Sequence, residues 1–334
     1  MKRTIFAALL LLSAGWISWA QTLQLEKTIP LPGVQGKFDH LAADDTGERL
    51  FVAATGNHSV EVVDLKTGTI KQSIGGLGKP HGLAWVAQTA SLYVADGGLG
   101  ELRVYRGKPL KLVGTIKLSD DADDMVYDDA AKRLYVGHGG SDAANPPYVA
   151  IVDTSRFALV ANLPVNAHPE ALDLDEKGRR VFINVADANE VAVLNVETNA
   201  ISSVWKISDA ADNVPLAFDS NHALLFVACR TPGKLLALNA ATGTVVASAT
   251  SAGKADDLFY DASRKRIYLV SGAGEVDSYE LKAGSALQQM NVTTTVPGAK
   301  TGLFVASNGR MYIAVPGTPG TASGIRVYKA TDGK

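Results

Sequence analysis

The feature that most constrains this chain is a repeat. Seven times a polar loop leads into a short segment that begins at a large apolar residue: Leu41, Leu83, Met125, Leu172, Leu216, Leu258 and Leu303. The intervals are 42, 42, 47, 44, 42 and 45 residues. A second segment follows in phase each time: LFVAA from Leu50, LYVAD from Leu92, LYVGH from Leu134, VFINV from Val181, LLFVAC from Leu224, IYLVS from Ile267 and MYIAV from Met311. These alternate residue types as half-buried strands do. Third segments such as VEVVDL, VAIVDT and LLALNA run into turns like Asp64 to Gly68 and Asn239 to Gly243, where glycine supplies the positive φ that closes a hairpin.

A period near 44 residues with four strands per unit predicts an all-β, seven-bladed β-propeller with four-stranded antiparallel blades, because one such sheet cannot bury both faces alone and must stack on neighbours. One domain is expected over residues 21–334. The last unit reaches Lys334 with only three strands. Residues 22 to 29, TLQLEKTI, resemble the fourth strand of the second unit, PLKLVGTI at Pro109 to Ile116. The N-terminal strand is therefore expected to complete the last blade and close the ring, removing an edge that would invite aggregation.

The first twenty residues read as a secretory signal peptide: basic Lys2 and Arg3, an apolar run from Ile5 to Leu12, and a small-x-small site at Ser18-Trp19-Ala20. The apolar run is shorter than a spanning helix needs. The only cysteine, Cys229, lies far from the cleavage region and ends an apolar run, which points to a buried thiol rather than a lipid anchor. A periplasmic or secreted protein without a membrane span follows. The formal charge of −2 becomes about −4 once Lys2 and Arg3 are removed, and no basic run occurs, so bulk electrostatics does not favour nucleic acid.

The seven units, the tyrosine-valine motif of Leu92-Tyr93-Val94-Ala95-Asp96 and the aspartate and glycine turns resemble the YncE-like, YVTN-repeat propellers of exported bacterial proteins. That resemblance covers essentially the mature chain and implies the propeller fold. Single-stranded DNA binding is an activity it also implies, and the acidic balance argues against it.

In a propeller one face carries the loops that enter the inner strands and those that join second to third strands. Five of the six histidines fall on that face: His40, His81 and His168 in entry loops, His58 and His138 in the other set, with His222 opposite. Together with Lys37, Lys79, Asp123, Asp124, Glu170, Lys254 and Asp257, His40, His81, His168 and His138 are the candidate ligand-binding residues of a polar channel mouth. His40, His81, Asp124, His168 and Glu170 are candidate ligands for a divalent metal, since imidazole with carboxylate suits Zn, Cu or Mn. The plainer reading has Lys37, Lys79 and Lys254 neutralising neighbouring aspartates, and Asp256-Asp257 capping turns. GLGKPHG at Gly76 to Gly82 is read as an entry loop, since a strand follows it. No GxSxG, HExxH, P-loop or dinucleotide fingerprint occurs.

The leading expectation is a monomeric, non-catalytic binding or scaffold propeller that takes a small molecule, peptide or envelope protein on this face. The alternative is a metal-dependent lactonase- or lyase-like enzyme using His138 or His168 as general acid or base.

Overall fold

The computed structural model describes residues 21–140, 143–282 and 286–332. The expected signal peptide lies outside the described residues. Seven four-stranded antiparallel sheets follow one another along the chain, and three 3-10 turns, Thr55–Asn57, Ala87–Thr89 and Ala186–Ala188, are the only helical elements among the described residues. No helix there is long and apolar enough to cross a membrane.

The inner strands of blades one to seven are Leu41–Ala43, Pro80–Val86, Met125–Asp128, Pro169–Asp175, Ala211–Asp219, Ala255–Asp261 and Gly302–Val305. Four of them begin two or more residues before the apolar anchor, and the seventh begins one residue before it. The ladders of those four continue past a register shift, between Pro80 and Leu83, Pro169 and Ala171, Asn213 and Leu216, and Ala255 and Asp257.

Seven apolar clusters lie one at each contact between neighbouring blades. In blade one, Leu50, Val52 and Ala54 pack toward blade seven, whereas Phe51 and Ala53 pack toward blade two. The second strands are thus buried on both faces, not half-buried. Their sequences are near-continuous apolar runs because both sides of each sheet are covered. Tyr93, Tyr135, Tyr268 and Tyr312 are all buried in this register. Trp85 stacks on Phe51 at 5.4 Å, and Trp205 tilts against Phe182 at 5.8 Å. Cys229 is fully buried, and burial pushes its thiol up to about 12.

The ring closes as expected. Leu23–Pro30 pairs antiparallel with the last strand, Gly324–Ala330, in a register that sets Leu23 opposite Ala330 and Ile29 opposite Ile325. Leu23 enters the apolar cluster between blades six and seven, and Ile29 the one between seven and one. One short strand therefore anchors two blade contacts.

Candidate functional site

Two residues before the apolar anchors, the seven blades carry Asp39, His81, Asp123, Glu170, Val214, Asp256 and Thr301 in turn. Five of these positions are titratable. In blades two, four and six the position falls inside the register shift, so His81, Glu170 and Asp256 have no cross-strand partner. An extra residue of this kind turns its side chain out of the pleat, which is how bulges aim groups at a site. Glycines permit the close approach: a Cβ on Gly82 would lie 2.2 Å from the Asp123 carbonyl oxygen, and one on Gly97 would lie 2.9 Å from Cδ2 of His81.

These side chains meet. His81 Nδ1 donates to Asp39 Oδ2 at 2.6 Å and lies 3.7 Å from Asp123 Oδ1. His168 Nδ1 donates to the Gly139 carbonyl at 2.6 Å, and its Nε2 lies 3.4 Å from Asp123 Oδ2. Ligating atoms of Asp39, His81 and Asp123 lie within 4.8 Å of one another, and so do those of Asp123, His168 and Glu170. Asp123 belongs to both groups. His40 Nδ1 sits 3.2 Å from Asp257 Oδ1, with its Nε2 3.8 Å from Asp39 and 4.0 Å from Asp123. Farther round, Asp256 is held between Arg230 and Lys300.

A second set of carboxylates is spent on the fold. Asp124 Oδ2 accepts from Leu172 N–H at 2.9 Å, Asp173 Oδ2 from Phe218 N–H at 2.7 Å, and Asp257 Oδ2 from Gly302 N–H at 2.7 Å. Each of these bonds ties one inner strand to the next blade. Asp123 and Asp124 are neighbours in sequence with different tasks.

Burial and crowding set the charge states. Burial works to lower the His81 pKa, but the hydrogen bond to Asp39 and the nearby Asp123 carboxylate outweigh it and raise it. The same contest raises His40, through Asp257 and Asp124, and lifts His168 to about 9 through Asp123. For Asp39 burial pushes upward, yet the His81 hydrogen bond and the charges of His40 and Lys300 hold it low. Burial lifts Glu170 to about 7, Asp124 to about 6 and Asp173 to about 6, with Asp123 adding to the first.

Several sequence expectations meet a different geometry. His138 does not face the mouth: it is fully buried, its Nδ1 accepts from Ser119 N–H and its Nε2 donates to Asn162 Oδ1, both at 3.1 Å. The cause is that the second strand runs on through Arg133–His138. Burial lowers its pKa, so a neutral, fixed tautomer remains. Lys37, Lys79 and Lys254 are exposed and form no ion pair among the described residues. Lys300 and Arg230 do the neutralising instead. Of the metal-ligand candidates, Asp124 and His40 stand outside the two imidazole–carboxylate groups, Asp124 held by Leu172 N–H and His40 turned to Asp257, while Asp39 and Asp123 enter them. In keeping with its reading as an entry loop, GLGKPHG leads into the strand from Pro80, and Gly78 N–H and Lys79 N–H both donate to the Asp96 carboxylate. Arg230, Lys300 and Asp173 escaped sequence reasoning, while aligning the blades on the second residue before each anchor finds Asp39, Asp123 and Asp256.

A cavity of about 360 Å³ touches all seven inner strands, from Leu41 and Leu83 to Asp257 and Leu303, and of the charged groups above it is lined by His40, Asp124, Asp173, Asp256 and Asp257. A larger groove of about 580 Å³ lies at the rim of blades one and two. In it Arg49 pairs with Asp44 at 2.8 Å, Lys71 with Asp64 at 3.6 Å, and Trp85 Nε1 donates to Asp45 at 2.9 Å. At the mouth, by contrast, Asp123 Oδ1 and His81 Nε2 are buried atoms without a hydrogen-bond partner.

No family model matches the chain. Over 200 residues, 53% of its length, it is 24% identical to NHL repeat-containing protein 2 of Gallus gallus, spanning 26% of that protein. Over 226 residues, 61% of its length, it is 20% identical to Antigen Lp49 of Leptospira interrogans, spanning 48% of that protein. The chain thus spans about a quarter and about half of these curated relatives. Among solved structures, the RRP9 WD40 repeats align over 93% of this chain and 100% of that one at 11% identity, with a TM-score of 0.79. A chain of a mitotic checkpoint complex aligns over 98% and 99% at 14% identity, with a TM-score of 0.76. A chain of Kuenenia stuttgartiensis hydrazine synthase aligns over 91% and 99% at 15% identity, also at 0.76. At these identities the likeness supports a propeller repeat fold and leaves function to the residues of the site.

Proposed function

We propose that this chain is an exported, non-catalytic binding propeller of the YncE-like, YVTN-repeat kind, and that its channel mouth receives a small molecule. The observation that carries this reading is the cavity of about 360 Å³ ringed by all seven inner strands. Its volume falls in the small-ligand range of roughly 300–1,000 Å³, too narrow for a folded partner. Leu41, Leu83, Leu172 and Leu216 line it beside His40, Asp124 and Asp257, so an amphipathic ligand fits, its polar end at the charged mouth and its apolar end among the leucines. The seven-blade ring supports this role because loops held by rigid sheets keep their positions as a ligand enters. The general acid–base role considered for His138 loses its support, because that ring is fixed in the core.

Imidazole ring NMR tests the reading, since His40, His81 and His168 line the mouth while His58, His138 and His222 serve as controls. With chelator present throughout, a panel of small amphipathic acids, amines and sugars is titrated into the mature protein. At least one class is expected to shift the three mouth rings saturably and leave the controls in place. A panel in which the mouth rings never move, or move no more than the controls, overturns the proposal.

A further inference from the structure

Blades one, two and three place Asp39, His81 and Asp123 at one register position, with ligating atoms within 4.8 Å of one another. Blade four adds His168 and Glu170 against the same Asp123. We infer that this mouth binds a divalent transition-metal ion through Asp39, His81 and Asp123, with His168 and Glu170 as the adjoining ligands across Asp123. The inference rests on the channel mouth being the binding site and names the chemistry it takes first.

Three observations favour the ion at this place. Imidazole nitrogen with carboxylate oxygen is the donor set of Zn, Mn and Cu sites. His81 and Asp123 each keep a buried polar atom without a partner, Nε2 and Oδ1. Such an atom costs roughly 1–3 kcal/mol unless something satisfies it. The remaining acidic groups are otherwise engaged: Asp256 by Arg230 and Lys300, Asp124 by Leu172 N–H, and Asp257 by Gly302 N–H. Asp39, Asp123 and Glu170 are the carboxylates that face imidazoles, and a bound ion would take the place of the imidazole protons that offset them.

Equilibrium dialysis of chelator-stripped, tag-free mature protein against Zn²⁺ alone and Mn²⁺ alone, with metal counted by mass spectrometry, tests this. The wild type is expected to take up stoichiometric metal. Asp123→Asn and His81→Gln are each expected to weaken uptake at least about tenfold, the scale of loss seen for perturbed metal sites. His222→Gln, on the opposite face, should bind as the wild type does. Urea midpoints confirm that each variant is folded, and Asp123→Asn nearly preserves the side-chain shape should His81→Gln fail to fold. No uptake by the wild type, or full uptake by both mouth variants, overturns the inference. If metal fails while chelated organic titrations still move the mouth histidines, the metal falls and the binding reading stands.

Discussion

A chain that begins after Pro30 is expected to lose cooperative folding, with a broad urea transition and a tendency to self-associate. Removing Leu23–Pro30 takes Leu23, fully buried, out of one blade contact and Ile29, 1% exposed, out of another. Deleting one buried Leu or Ile side chain beyond Cβ typically costs about 2–5 kcal/mol, so two lost together approach the whole stability of a domain, about 5–15 kcal/mol. The truncation also bares the edge of Gly324–Ala330, whose ladder partner is gone. Leu23→Ala and Ile29→Ala should each lower the urea midpoint of the chain spanning residues 21–334 by an amount in the single-residue range. A truncated chain that unfolds as sharply and at the same midpoint as the intact one would show that closure does not hold the ring.

Stability in chelated buffer is expected to fall as pH rises from about 6.5 to about 9. The imidazolium of His168 is held by Asp123 in the folded chain, so its pKa stands at about 9 against an ordinary 6.5. A raised pKa of this kind stabilises fully below the unfolded value and is lost as pH climbs through the folded one. At about 1.4 kcal/mol per pH unit, the interval amounts to on the order of 3 kcal/mol. His81 and His40 are raised too and act with the same sign. Glu170 and Asp124 reinforce the trend at lower pH, because burial raises them to about 7 and about 6 from 4.5 and 3.8, and ionising them costs stability across those windows. Asp39 opposes it only in acid: its pKa is lowered, so its contribution is present above 3.8 and is lost below. Urea midpoints at about pH 5, 7 and 9 should fall in that order, with the upper step reduced in His168→Gln. A flat or rising series contradicts the charge states drawn for the mouth.

The fold was legible because seven registers agreed. The anchors from Leu41 to Leu303 and the aromatic second strands place every blade, and the likeness of TLQLEKTI to PLKLVGTI located the closing strand. Burial on both faces of the second strands was misjudged, since LFVAA reads equally well as a half-buried strand until the neighbouring blade is in place. His138 shows the same limit. It occupies the strand position held by Ala54, Asp96, Val185 and Cys229, all fully buried, and comparing those five residues would have moved it into the core.

The face carrying the candidate site was legible from the loops, and so were His81, Asp123, His168 and Glu170, but the way the backbone aims them was not. Bulges turn His81, Glu170 and Asp256 out of the ladder, and no apolar pattern records a bulge. Asp123 and Asp124 differ only in which way the backbone points them, one into the mouth and one onto Leu172 N–H. The cations came from places that sequence spacing does not relate to Asp256: Arg230 late in a second strand and Lys300 in an entry loop.

Anomalous diffraction from crystals of residues 21–334 soaked separately in Mn²⁺ and Zn²⁺ tests the central claim most directly. The predicted result is an anomalous peak at the channel mouth within about 2.0–2.2 Å of a carboxylate oxygen of Asp123 and an imidazole nitrogen of His81. Peaks confined to exposed carboxylates elsewhere, with none touching Asp123, would contradict it.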